Sequence, residues 1–123
     1  MSTKDPRLER LYDYTKFHIG VYLLAAGAMG TIAGSRELRA FLGGLIHDPI
    51  WLAFPIAAMG VAGFAGGLIA STCATAATLD DVWVKRIGPW SFPVMSGRLW
   101  ARVEHAAFWL SLASFAAAVL LAA

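Results

Sequence analysis

The residues best suited to chemistry are two histidines and a glutamate that lie within apolar runs. His18 stands at the start of the first run, and Glu104 and His105 lie about two turns into the last one. Ionisable side chains at membrane depth are costly, which makes them functional candidates. Neutral imidazole is a common ligand of haem iron and of divalent transition metals. His18 and His105 are therefore candidate ligands, with Glu104 as an outer partner of a ligand or as a proton partner.

The same residues also have a purely structural interpretation. Histidines and a glutamate in the first turns of a membrane helix are often solvated at the headgroup level or paired with basic side chains. Lys16, Arg98 and Arg102 are near enough in sequence for that role. Arg98 and Arg102 stand one helical turn apart and are also predicted to bind a lipid phosphate. His47 is expected on the opposite side of the membrane, outside this group.

The composition indicates that a bilayer surrounds these residues. Of the 123 residues, 59% are hydrophobic and only 15% are charged, which is too little charge for an ordinary soluble surface. The basic residues flank apolar runs, as topology signals do, so nucleic acid is not an expected partner. Cys73 is the sole cysteine, which excludes a cysteine cluster for zinc or iron–sulfur. No nucleotide-binding or hydrolase motif occurs, and no catalytic residue is predicted.

The apolar runs predict an all-α integral membrane protein with three transmembrane helices in a single membrane domain, residues 1–123. A bilayer crossing needs about 20 apolar residues, and the spans are predicted at about 17–34, 50–79 and 98–123. Short interfacial helices are expected in the connections and at the N-terminus. There, residues 5–16 form an amphipathic segment that is expected to lie on the membrane surface.

Residues typical of helix starts support this division. An acidic or hydroxyl side chain caps a helix well, and proline suits the first helical position. The candidate caps are Asp5 and Asp48, each followed by proline, then Ser35, and either Asp80 or Asp81.

The distribution of basic residues predicts the orientation. Of the ten lysines and arginines, only Arg36 and Arg39 fall in the first connection, and the rest precede the first span or surround the second connection. Because basic loops stay in the cytoplasm, the N-terminus is predicted to be cytoplasmic and the C-terminus outside. A bacterial inner membrane is the expected location.

Small residues predict where the helices meet. In lipid, close backbone approach replaces the hydrophobic effect as the source of helix association. Such faces pack helices of one chain together or mediate self-association. The predicted packing residues are Ala26, Gly30 and Gly34 in the first span and Gly60, Gly63 and Gly67 in the second.

Three functions are compatible with these features. The first is a small accessory or scaffold subunit of a larger membrane complex, with lipids and other membrane subunits or further copies of the chain as partners. The second is a haem- or metal-binding redox subunit that uses His18 and His105. The third is a homo-oligomeric transporter, channel or lipid-acting enzyme, for which the spans contain few polar side chains.

Overall fold

Helices account for most of the chain. The computed structural model describes residues 4–122. A small antiparallel hairpin, β1 (Arg86–Ile87) with β2 (Met95–Ser96), lies in the second connection. The α-helices are α1 (Pro6–Gly34), α2 (Arg36–Leu42), α3 (Ala53–Thr75), α4 (Leu79–Trp83) and α5 (Gly97–Leu120), and single 3₁₀ turns cover Gly44–His47, Pro49–Leu52 and Pro89–Ser91.

Within the described residues, three helical segments are long and apolar enough to cross a membrane: Pro6–Gly34, Pro49–Thr75 and Gly97–Leu120. Helix α3 lies between α1 and α5 and makes most of the helix contacts. At one end of the bundle Leu8, Cys73 and Trp100 share a buried cluster, so α3 runs antiparallel to its two neighbours. The start of α1 and the second connection therefore lie at the same end, as the charge distribution predicts.

Helix α1 differs from the expectation of a separate surface helix at residues 5–16. It begins at Pro6, with Asp5 as cap accepting a hydrogen bond from the Arg7 amide at 3.0 Å. Neither glycine nor proline interrupts residues 7–19, so the helix continues directly into the first span. Leu8 and Thr15 are both buried against the bundle, which holds the N-terminal turns in line with the rest of α1.

The second span ends earlier than residue 79, at Thr75, because a new helix starts shortly afterwards. Thr78 caps α4 instead of Asp80 or Asp81. Its side chain accepts from the Asp81 amide, and the Asp81 carboxylate accepts from the Thr78 amide at 3.0 Å. This reciprocal pair is a capping box. Hydrogen bonds from Lys85 and from Thr78 lower the pKa of Asp81 from 3.8 to about 2.

The other predicted caps are present. Ser35 accepts a hydrogen bond from the Leu38 amide at 3.2 Å and starts α2. Asp48 accepts from the Ile50 amide at 3.1 Å, although it starts the 3₁₀ turn Pro49–Leu52 that leads into α3. Helix α5 ends at Leu120, and the predicted end of the third span at Ala123 lies outside the described residues.

The glycines that make contact inside the bundle are not the predicted ones. A Cβ added at Gly66 meets Ile19 and Glu104, and Gly66 lies on the buried face of α3 between Ala62 and Ile69. Ala26 is half-buried beside the central cluster of the bundle. The five predicted glycines of α1 and α3 face away from the other helices of the chain, because small residues lie on more than one side of both helices. Self-association through these glycines stays a prediction. A Cβ added at any of these five meets no atom within 4 Å: Gly30, Gly34, Gly60, Gly63 and Gly67.

Candidate metal-binding site

The structure brings His18, Glu104 and His105 together where α1 and α5 face each other. Each offers one ligand atom, and these atoms all lie within 4.8 Å of one another. His18 comes from α1, whereas Glu104 and His105 are consecutive residues of α5. His18 lies slightly more than three turns into α1, and Glu104 lies about two turns into α5. Because α1 and α5 run in the same direction, these two positions reach the same level of the bundle.

Glu104 is the buried member of this group, with 3% of its surface exposed. The Tyr22 hydroxyl donates to Glu104 Oε1 at 2.7 Å, which joins α1 to α5 through a hydrogen bond between two buried side chains. Gly66 of α3 makes room behind the carboxylate, since an added Cβ would stand 3.6 Å from Glu104 Cδ. A carboxylate in this setting is held in one position.

His18 has a buried nitrogen that lacks a partner. Its Nδ1 atom is 3.5 Å from Glu104 Oε1, but among residues 4–122 no group completes a hydrogen bond with it. The Tyr14 ring stands edge-on to the imidazole, with centroids 4.1 Å apart, and fixes its plane. Buried polar atoms are normally satisfied, so an orphaned one indicates a water or an ion.

His105 completes the group from the more open side. The His18 and His105 rings are nearly perpendicular, at 85°, with centroids 5.7 Å apart. Both line a groove of about 420 Å³, whose lining also includes the exposed side chains of Phe17 and Trp109. His105 therefore has space to change its ring orientation, whereas Glu104 does not.

The expected pairing with basic side chains is not found. Among the described residues, Glu104 forms no ion pair with a lysine or arginine. Lys16, Arg98 and Arg102 are exposed on the outside of the bundle. Binding of a lipid phosphate by Arg98 and Arg102 stays a prediction. His47 is exposed in the first connection, at the far end of the bundle.

The three side chains suit a divalent ion by chemistry and nearly by distance. Ligand atoms around an ion with bonds of about 2.0–2.2 Å stand about 3.4 Å apart in tetrahedral geometry. The observed separations reach 4.8 Å, so the most distant pair of ligand atoms must close by about 1.4 Å around an ion. Rotation of His105 within the groove provides such a movement. Tyr22 then acts as the outer hydrogen-bond partner that orients the carboxylate ligand.

Two residues of this site, Tyr22 and Gly66, are not among the predicted ones. Tyr14, His18 and Tyr22 recur every four residues and so share one face of α1. That spacing was the available signal for Tyr22. Gly66 had a weaker signal, because the sequence of α3 contains several small residues and does not state which of them faces Glu104.

An apolar layer closes the site toward the other end of the bundle. Beyond Tyr22, the buried side chains of Met29, Met59, Ala62 and Ala107 form the central cluster. The next buried hydroxyl, Ser111, donates to the Pro55 carbonyl at 2.6 Å.

Comparison of the sequence and the fold with protein-family models, with curated proteins and with solved structures finds no match.

Proposed function

We propose that the protein binds a divalent transition-metal ion within the membrane, through His18, Glu104 and His105. The observation that carries the proposal is the convergence of three ligand atoms from two helices within 4.8 Å. Two imidazoles and one carboxylate form a set that suits zinc and iron(II). Three protein ligands leave coordination positions open for water or another small ligand.

An isolated ion fits this site better than haem, which the sequence equally suggests. Directly beside the histidines, the Tyr22 ring packs against the Phe108 ring with centroids 5.4 Å apart. A porphyrin coordinated by both imidazoles must lie between α1 and α5, where this aromatic contact and the Tyr22–Glu104 hydrogen bond are formed. The buried carboxylate between the rings also suits a cation better than a macrocycle.

Metal titration of the full-length protein tests the proposal. The protein is purified in detergent, stripped with a chelator and titrated with Zn²⁺ or Co²⁺, and bound metal is measured by mass spectrometry and by cobalt absorption. We expect a single ion per chain. His18→Ala, His105→Ala and Glu104→Gln should each weaken binding by more than the roughly 10–100-fold that loss of an outer partner costs.

His47→Ala is the matched control, because it removes a histidine that is exposed at the opposite end of the bundle. It should bind metal as the unmodified protein does. Equal losses in His47→Ala and His18→Ala would show that binding is non-specific. A stripped protein that takes up neither ion contradicts the proposal, and a visible haem spectrum in the purified protein would replace it with the haem alternative.

An accessory or scaffold role in a larger complex stays a prediction. It is compatible with metal binding because all three ligands come from one chain. Outward-facing Gly63 and Gly67 support it in one respect, since a small-residue face outside the bundle is available to a second helix.

A further inference from the structure

A second groove, separate from the metal-binding site, lies where the last turns of α3 face the β1–β2 hairpin. Its volume is about 440 Å³. Three hydroxyl side chains of α3 form one wall, and Arg86 with the 3₁₀ turn after β1 forms the other. The polar and aromatic lining residues are Ser71, Thr72, Thr75, Arg86, Trp90 and Ser91.

The walls of this groove are fixed by the fold. Ile87 pairs with Met95 across the hairpin, and its side chain is buried under α5. The indole Nε1 of Trp100 donates to the Ile87 carbonyl at 2.9 Å, which ties the hairpin to the start of α5. The groove therefore exists without a ligand to shape it.

Arg86 is the uncompensated charge of this surface. Within residues 4–122 Arg86 forms no ion pair; Asp81 pairs with Lys85 and Asp5 with Arg7, and the exposed Asp80 forms no ion pair either. A guanidinium fork binds phosphate oxygens through paired hydrogen bonds. The hydroxyl of Ser71 now donates to the Leu68 carbonyl at 3.1 Å, and rotation about its side-chain bond turns it toward a ligand in the groove.

The depth of the groove matches the headgroup layer. Helix α3 has 23 residues, which is about 35 Å at 1.5 Å per residue, whereas the hydrocarbon layer is about 30 Å thick. Its last turn therefore reaches the headgroups. Trp90 stands at the rim and is 90% exposed, and its backbone holds a φ of 51°, which is rare for a bulky residue. Indole rings favour this level of the bilayer.

Apolar surface continues from the groove toward the bilayer centre. Phe64 lies one turn before Leu68 on α3 and is 52% exposed. An acyl chain can therefore run along α3 while the headgroup occupies the polar part. A free phosphate ion uses only that polar part, so the combined surface favours a lipid.

We propose that this groove binds an anionic phospholipid, with its phosphate held by Arg86 and the α3 hydroxyls and its acyl chains along Phe64. The site is distinct from Arg98 and Arg102, which lie outside the groove, and does not depend on metal binding.

Native mass spectrometry of the delipidated full-length protein in detergent tests this proposal. The probes are phosphatidylglycerol and phosphatidylcholine with identical acyl chains. We expect phosphatidylglycerol to bind more tightly, and Arg86→Gln to reduce its affinity by about tenfold or more through loss of a charge-assisted contact. Arg10→Gln is the matched control, because Arg10 is exposed at the same end of the bundle but outside the groove.

Ser71→Leu provides an independent variant that fills the groove and keeps Arg86, so a folding defect in one variant leaves the other informative. It should also lose phosphatidylglycerol. Equal losses in Arg86→Gln and Arg10→Gln would reduce the effect to general charge attraction and overturn the proposal. The proposal is also overturned if phosphatidylcholine binds as tightly as phosphatidylglycerol. The same holds if inorganic phosphate displaces phosphatidylglycerol at a concentration similar to that of the lipid.

Discussion

Replacement of Gly66 by leucine distinguishes the glycine that the bundle needs from those that face outward. A Cβ at this position stands 3.2 Å from Ile19 Cγ1 and 3.6 Å from Glu104 Cδ. Alanine fits if Ile19 yields by a few tenths of an ångström, and its better helix propensity, worth up to about 1 kcal/mol, offsets that cost. Leucine places three further carbons in the same space. Such overpacking costs about 1–3 kcal/mol.

Gly67→Leu is the matched control for this change. Gly67 is the next residue of the same helix, and a Cβ there meets no atom within 4 Å. We expect its free energy of unfolding to change by at most about 0.5 kcal/mol. The two variants have the same composition and differ only in the direction of the added side chain.

Unfolding in mixed micelles with increasing dodecyl sulfate, followed by circular dichroism, measures both variants. Gly66→Leu should unfold at a lower detergent fraction than Gly67→Leu and should also bind metal more weakly, because the new side chain displaces Glu104. Equal stabilities would refute the rotation of α3 described above. If Gly67→Leu keeps its stability but no longer self-associates, the outward face of α3 forms an interface between copies of the chain. This is the self-association that the small residues predict as an alternative.

The remaining predictions concern single hydrogen bonds. Tyr22→Phe removes the hydrogen-bond donor to Glu104 and should lower the free energy of unfolding by about 1–2 kcal/mol. This value lies between those typical of hydrogen bonds between membrane helices and those typical of hydrogen bonds to charged groups. Tyr14→Phe is the control, since Tyr14 is 54% exposed, and equal losses would contradict the assignment. The pKa of Asp81 is lowered from 3.8 to about 2, so the stabilisation of α4 is complete above the higher value and disappears as the pH falls through the lower one. The amide signals of Thr78 and Asp81 in NMR spectra should shift in that window, and the shift should be absent in Asp81→Asn; loss of the cap already above 3.8 would contradict the argument.

The sequence was sufficient for the number of long helices and their relative direction. Those features depend on properties that are local in sequence: the length of an apolar run, a capping side chain and the charges beside it. Ser35 and Asp48 illustrate this, because each caps the turn that its own neighbourhood predicts. Helix ends were less predictable, since Thr78 competes with Asp80 and Asp81 for the same cap.

Rotation of the helices about their axes could not be read from the sequence. From residue 53 to residue 70, helix α3 is apolar all round, so no polar face marks its outside there. Small residues lie on several sides, and the side that turns inward is decided by the bulk of its neighbours, such as Ile19 against Gly66. The sequence predicted that His18 and His105 lie at the same depth. It could not predict that their side chains face each other, because that depends on the rotation of α1 and α5 about their axes.

Two unusual features of the candidate metal site have one common explanation. A buried carboxylate without a cation costs several kcal/mol, and the single hydrogen bond from Tyr22 offsets only about 1.5–3 kcal/mol of it. Among the described residues no lysine or arginine pairs with Glu104, and the adjacent His18 Nδ1, 3.5 Å from Glu104 Oε1, is buried without a hydrogen-bond partner. A divalent cation between them supplies charge to the carboxylate and a bond to the nitrogen at once, and His105 stands where a third ligand is needed.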